Sequence, residues 1–240
     1  FTPGNGTVIY TVTGIDGNSC ENTATISVTV NASPTVTASS SAVSPLCEGD
    51  DLTLNGGGAT SYTWDNSVTD NTLFTPGNGT VIYTVTGIDG NNCENTATIS
   101  VTVNPLPTVT ASSSPVSPLC DGDDLTLNGG GAISYTWTDG TTTYSDNTLF
   151  TPGISSATYT VTGTDGNSCE NTATILVAVN PLPTVTASSS AVSPLCEGDD
   201  LTLNGGGATS YTWDNSVTDN TLFTPGNGTV IYTVTGIDGN

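Results

Sequence analysis

Residues Thr80 to Asn104 read TVIYTVTGIDGNNCENTATISVTVN, and the alternation in that stretch decides the fold. Val81, Tyr83 and Val85 share one face of the first run, and Ala97, Ile99, Val101 and Val103 share one face of the second. Thr and Ser occupy the opposite faces. Successive side chains of a strand point to opposite sides, so a period of two with one apolar face marks a half-buried antiparallel strand. Between the runs, Ile88-Asp-Gly-Asn-Asn92 supplies residues that tolerate a positive φ. The stretch is predicted as a β-hairpin. It occurs at 7–31, 80–104 and 157–180, and its first half returns at 229–240.

The hairpin belongs to a longer repeat. Phe1, Phe74, Phe150 and Phe223 each open the phrase Phe-Thr-Pro-Gly, at steps of 74 − 1 = 73, 150 − 74 = 76 and 223 − 150 = 73 residues. Cys20, Cys93 and Cys169 keep the same phase, as do Cys47, Cys120 and Cys196. A period of this length is a small domain and exceeds a solenoid repeat. Edges fall at Pro-bearing joints, Asn31 to Pro34, Asn104 to Pro107 and Asn180 to Pro183, where proline fixes φ and biases the preceding residue toward extended geometry. The expected organisation is the C-terminal part of a repeat at 1–31, complete repeats at 33–104 and 106–180, and the N-terminal part of a repeat at 182–240. Residues 1–18 and 223–240 are identical. The expectation is a window on a longer array, with proteolytic trimming and donor-strand exchange as the alternatives.

Composition restricts the setting. Lys, Arg and His are absent, and 22 acidic residues give a formal charge of −22, yet charged residues make up only 9% of the chain. Regularly placed Val, Ile and Leu among Thr, Ser, Gly and Asn argue for folded β-structure over a disordered acidic tail. Phosphate contacts require cations, so nucleic acid is excluded as a partner, and anionic membrane surfaces are disfavoured. No apolar run is long enough to cross a membrane as a helix. A core of about 73 residues is modest and commonly needs a staple. Two Cys per repeat suit that role and point to an oxidising, extracellular compartment.

Within 33–104 the turn signals divide the chain into short strands. Pro34 to Ala38 is predicted as the first strand, 39–44 as a loose crossing and Pro45 to Asp51 as a turn. Leu52 to Leu54 forms a second strand, ended by Asn55-Gly-Gly-Gly58, and Ser61 to Trp64 a third. Thr72 to Thr75 precedes the closing hairpin. Six or seven such strands predict an all-β sandwich with Val36, Leu52, Leu54, Trp64, Tyr83, Val85, Ile99 and Val101 inside. Trp64 and Tyr83 hold the places of the core Trp and corner Tyr of an immunoglobulin-like sandwich.

Leu46-Cys-Glu-Gly-Asp-Asp-Leu-Thr-Leu54, Tyr62-Thr-Trp64 and Tyr83-Thr-Val-Thr-Gly-Ile-Asp-Gly-Asn-Asn-Cys93 together resemble the tandem immunoglobulin-like repeats of secreted Bacteroidetes-type bacterial surface proteins. The resemblance covers every repeat. It implies a linear array of immunoglobulin-like domains in an extracellular or cell-surface protein, often an adhesin. Near-identity of neighbouring repeats departs from the usual divergence of natural arrays and suggests recent duplication or selection for a regular polymer.

The middle repeat carries an insertion. Trp64 to Asn71 spans 7 positions and Trp137 to Asn147 spans 10. The added loop, 138–145, is expected to present Tyr144 as an exposed contact point, or to be a longer hairpin without function.

The six cysteines admit two pairings. Cys47 with Cys93 and Cys120 with Cys169 would staple each repeat internally. In an immunoglobulin-like order, however, those residues sit at opposite ends of strands spanning about 20 Å, whereas bridged Cα atoms lie within about 7 Å. The expected pairing instead crosses a junction between repeats, where the first end of one domain faces the second end of the next, with Cys47 and Cys169 as the internal candidate. Cys20, Cys93, Cys120 and Cys196 would then pair outside this stretch or with another chain. Acidic groups flank the cysteines. Glu48, Asp50, Asp51, Asp165, Asn167 and Glu170 are the candidate ligands for Ca²⁺, an oxygen-seeking cation, although their spacing matches no fixed calcium loop and turn formation is the alternative role.

Catalysis finds no support. Without His there is no Ser-His-Asp or Cys-His arrangement, and the Asp50-Asp51 pair recurs in turns of every repeat. Asn5-Gly-Thr7, Asn78-Gly-Thr80 and Asn227-Gly-Thr229 match a glycosylation acceptor, but the triplet is also an ordinary hairpin turn, and that reading is preferred. The expected function is structural: an extracellular filament or long surface stalk built by end-to-end and lateral association, with other copies of the chain as partners. The alternative is the spacer of a surface adhesin or of a secreted carbohydrate-active enzyme, whose tip meets a surface polysaccharide or a host or cell-surface ligand.

Overall fold

Alternation becomes pairing along the whole chain in the computed structural model, which describes residues 1–239. The described residues form strands and turns with no helix. They group into two compact units, 1–107 with 165–170, and 108–164 with 171–240.

In the first unit, β1 (Gly6–Ile15) and β2 (Glu21–Val30) form an antiparallel hairpin. Seven strands follow: β3 (Thr37–Ser40), β4 (Leu46–Cys47), β5 (Leu52–Gly57), β6 (Ser61–Trp64), β7 (Leu73–Phe74), β8 (Gly79–Ile88) and β9 (Glu94–Asn104). They make two sheets, β3-β5-β7 and β4-β9-β8-β6. Every pair is antiparallel except β4 on β9, where Leu46 lies opposite Val103 and Cys47 opposite Asn104 in parallel register. This parallel contact places Leu46 beside Val103 in the core, a role for Leu46 that the sequence reading missed because it assigned 45–51 wholly to a turn. Leu52, Leu54, Trp64, Tyr83, Val85 and Val101 are buried as expected, while Val36 and Ile99 are half-buried at the margin. Each fully buried Leu or Val contributes about 1.5–3 kcal/mol.

β5 also runs three residues further than expected, through Asn55-Gly56-Gly57. The glycines permit close approach there rather than breaking the strand. A Cβ on Gly56 would lie 2.4 Å from the Tyr62 ring, and one on Gly58, at φ +84°, would lie 1.8 Å from the Thr35 carbonyl oxygen. The Tyr62 hydroxyl accepts from the Ala59 N–H and donates to the Ala59 carbonyl, both at 2.7 Å. Tyr62 therefore caps the β5–β6 turn. The expected corner residue, Tyr83, instead buries its ring edge-on against Phe74 at 5.7 Å, and burial, with Asp65 nearby, raises its phenol pKa.

Asp70 ties the two sheets together. One carboxylate oxygen accepts both the Gly56 N–H of β5 and the Trp64 indole N–H of β6, each at 2.8 Å. Trp64 is thereby fixed at the centre of the core with its only polar group satisfied.

The second unit repeats this plan. β10 (Thr110–Ser114), β12 (Leu125–Gly130) and β15 (Leu149–Phe150) form one sheet. β11 (Leu119–Cys120), β17 (Glu170–Asn180), β16 (Ser156–Thr164), β13 (Ser134–Thr138) and β14 (Thr143–Ser145) form the other. Asp146 accepts from Gly129 N–H at 2.7 Å and from the Trp137 indole at 2.8 Å. The final strands are β18 (Thr186–Ser189), β19 (Leu201–Gly206), β20 (Ser210–Trp213), β21 (Leu222–Phe223) and β22 (Val234–Ile237). Asp219 bridges Gly205 N–H and the Trp213 indole. The Trp213 hydrogen bond, then that from Gly205, lowers the Asp219 pKa.

The inserted loop of the middle repeat forms β14, paired with β13 at Trp137 opposite Tyr144. Tyr144 is not the exposed contact expected of it. Its ring is half-buried against Phe150 at 4.5 Å and Tyr159 at 5.5 Å. Its hydroxyl donates to Asp139 Oδ2 at 2.8 Å. Asp139 also accepts the N–H groups of Thr141 and Thr142 and the Thr141 hydroxyl. The Thr142 N–H leads these donors in holding the Asp139 carboxyl well below the usual carboxylate range. Burial, then the bond to Asp139, pushes Tyr144 up to about 12. Three extra residues thus extend the core by one ring and one strand.

Two predictions follow from these contacts. Trp137→Phe keeps most of the buried ring but removes the donor to Asp146, and a hydrogen bond to a charged group contributes roughly 2 kcal/mol. Native-state hydrogen exchange at Gly129 is expected to accelerate by about 30-fold, and Asp146→Ala is expected to exceed it by orphaning both donors. At high pH, the raised Tyr144 pKa means the folded state favours the neutral phenol. Its contribution is complete below about pH 10 and is lost as pH rises toward the folded value of about 12. Ultraviolet difference titration of Asp139→Asn against the parent should show one phenol ionising at lower pH, still above its ordinary value because burial remains. Unchanged titration would mean that Asp139 does not hold the phenol.

Candidate functional site

The cysteine-bearing turns are the most elaborated polar features of the chain, and they come in two types. The first follows the short parallel strand. Cys47 N–H donates to Asp50 Oδ2 at 2.8 Å, Asp50 N–H donates back to the Cys47 carbonyl at 3.0 Å, and Glu48 N–H donates to the Asn104 carbonyl at 2.8 Å. Gly49 takes φ +92° inside this turn. The same turn surrounds Cys120, with Asp123 as acceptor at 2.8 Å, and Cys196, with Asp199 at 2.9 Å. The Asp is local in sequence, so the turn preorganises itself.

The second type closes the long hairpins. Asp165 Oδ1 accepts from Asn167 N–H at 2.8 Å and Cys169 N–H at 2.9 Å. Asp165 N–H donates to the Cys169 carbonyl at 3.0 Å, and Ser168 sits at φ 65°. Asp89 builds the same turn around Cys93, and Asp16 around Cys20. A carboxylate that accepts two N–H groups of its own turn replaces backbone partners that the chain reversal removes.

Cys47 and Cys169, one from each type of turn, form a disulfide with Cα atoms 5.5 Å apart. The 165–170 turn belongs to the first unit together with Cys47, and Cys169 is fully buried there. The alternative pairing of Cys47 with Cys93 and Cys120 with Cys169 is not formed: Cys93 and Cys120 are free thiols, as are Cys20 and Cys196. Within 33–104 the reason is the topology. Cys47 lies against Asn104 at the far end of β9, while Cys93 precedes Glu94 at its start. The bridge therefore joins residues 122 positions apart, in different sequence repeats.

Several of the acidic residues serve these turns. Asp50 and Asp165 hold backbone N–H groups, and Asp51 accepts the Thr75 hydroxyl. The equivalent Asp124 accepts Thr151 at 2.6 Å. Among the described residues no three Asp, Glu or Cys side chains converge as a ligand set. The hollow lined by Asn66, Thr72, Phe74, Pro76 and Tyr83 contains no carboxylate pair suited to acid–base chemistry. Sequence reasoning missed the most consequential acid of each repeat, Asp70 and its counterparts Asp146 and Asp219. The signal was the recurrence of Asp-Asn a few residues after each Trp.

Comparison with known proteins places these features among remote likenesses. No family model matches the chain, and no curated protein matches it. Among solved structures, it is similar to one described as a Ca²⁺-stabilized adhesin that helps an Antarctic bacterium reach out and bind ice, at 15% identity and TM-score 0.32, covering 98% of this chain and 71% of that one. It is also similar to protocadherin gamma B7 extracellular cadherin domains 1–4, at 10% identity and TM-score 0.27, covering 97% and 84%. The protocadherin gammaB7 EC3-6 cis-dimer aligns at 8% identity and TM-score 0.26, covering 91% and 76%.

Proposed function

We propose that this chain is a structural stretch of an extracellular repeat protein, in which immunoglobulin-like repeats at 33–104 and 106–180, flanked by partial repeats at 1–31 and 182–240, build a filament or long surface stalk. The observation that carries this reading is the Cys47–Cys169 bridge between different sequence repeats. A cross-link of this kind resists separation of the two repeats under tension, as a filament or stalk requires. It also implies an oxidising compartment outside the cytoplasm. The near-identity of the repeats supports a regular polymer, since equal units make equal contacts. Strand edges and Thr-rich outward faces provide surfaces for lateral contact with other copies. The function is non-enzymatic: the work is mechanical and the partners are copies of the chain itself.

The second reading is a spacer that holds a binding tip away from a cell surface, and the stiff joints at Pro34, Pro107 and Pro183 favour it equally. Electron microscopy of the native extracellular material separates the two. Continuous fibres with a regular axial period are the expected result. Single strings ending in a distinct globular tip would overturn the filament and leave the spacer.

A further inference from the structure

Four thiols remain after the one disulfide forms, and they are not equivalent. Cys120 and Cys196 occupy the turn that holds Cys47, while Cys20 and Cys93 occupy the turn that holds Cys169. The formed bridge joins one turn of each type. It is therefore a worked example of how these two turns fit together, and it is an observation independent of the thiols left over. The fit also changes exposure. Cys169, mated, is fully buried, whereas Cys93 is half-buried and Cys20 is exposed in the same local turn. Cys120 and Cys196 are exposed as well. The Asp acceptor and its spacing from the Cys recur in mated and unmated copies alike, at 2.8–2.9 Å, although among the described residues no strand matching β4 and β11 precedes the Cys196 turn and Asp121 stands where Glu48 and Glu197 stand in the others.

We propose that the free thiols are complementary cross-linking sites between copies of this chain, a Cys120 or Cys196 turn of one copy forming a disulfide with a Cys20 or Cys93 turn of another, and that turns of the same type do not pair. The partner is a second copy of the chain, and the bond is a cystine of the kind already formed between Cys47 and Cys169. The reaction needs a two-electron oxidant, which is a low-molecular-weight disulfide. The thiolate of one turn attacks it, forming a mixed disulfide and releasing one small thiol. The thiolate of the complementary turn attacks the protein sulfur of that mixed disulfide and releases the second small thiol. Two protein thiols are oxidised, one small disulfide is reduced, and the two protons end on the released thiols. Because each copy carries a formal charge of −22, approach is opposed by repulsion that salt screens. Cross-linking accelerates as ionic strength rises.

This goes beyond the filament reading, because it assigns the bond between copies and its selectivity. The test uses two variants of the whole chain incubated with oxidised glutathione. C120S/C196S keeps only the hairpin thiols and C20S/C93S keeps only the other type. All four positions are exposed or half-buried, and both variants retain Cys47 and Cys169, so the core and its bridge are left in place. The expected result is that each variant alone stays monomeric on a non-reducing gel, while an equimolar mixture gives a covalent dimer containing one of each. Digestion at Asp and Glu followed by mass spectrometry should find only cross-type cystines. Covalent dimers from either variant alone, or no dimer from the mixture, would overturn the proposal. Fibres by microscopy without such a cystine would sink the thiol pairing and leave the filament standing. The cystine without fibres would do the reverse.

Discussion

One carboxylate oxygen in each repeat holds two sheets at a fixed separation. Asp70 Oδ1 binds an amide of β5 and the indole of β6 at the same distance, 2.8 Å. A sandwich is otherwise held by apolar contacts, which favour burial but set no unique register between the sheets. The shared acceptor supplies that register and leaves the Trp64 indole N–H, which would be costly to bury alone, satisfied. Asp146 and Asp219 do the same in the later repeats. The middle repeat tolerates three extra residues between Trp137 and its Asp because the loop pairs as β14 and returns the carboxylate to the same place.

The rest of the repeat accommodates this clamp. Gly56 has no side chain because its N–H must reach Asp70 while the Tyr62 ring lies over its Cα. Tyr62 then caps the turn that Gly58 reverses. Each of these residues is explained by another in the set. Changing one therefore disturbs several contacts, which is the pattern expected of a sequence whose local and global preferences agree.

Many of the aspartates in this chain act as backbone acceptors. With no Lys, Arg or His, they have no cationic side chain to pair with, and turns supply N–H groups in their place. This helps a chain of charge −22 to fold, because those aspartates sit where the backbone N–H groups stabilise them.

The sequence by itself determined the all-β class, the repeat and its phase, the hairpins and most of the core, because period-two alternation and turn residues are local signals. It favoured Cys47–Cys169 over the pairing within each repeat, and it did not reveal Asp70, the parallel β4–β9 contact or the inward turn of Tyr144, each of which depends on residues brought together from distant positions. The clearest case is a segment present twice. Residues 6–15 and 228–237 are identical, yet the first is one continuous strand paired with β2, while the second is strand only at Val234–Ile237. Tyr10-Thr-Val12 and Tyr83-Thr-Val85 likewise share a sequence, but Val12 is 65% exposed and Val85 is 0% exposed. A strand's hydrogen bonds and its burial both come from what lies beside and above it, and neither partner is encoded in the strand itself.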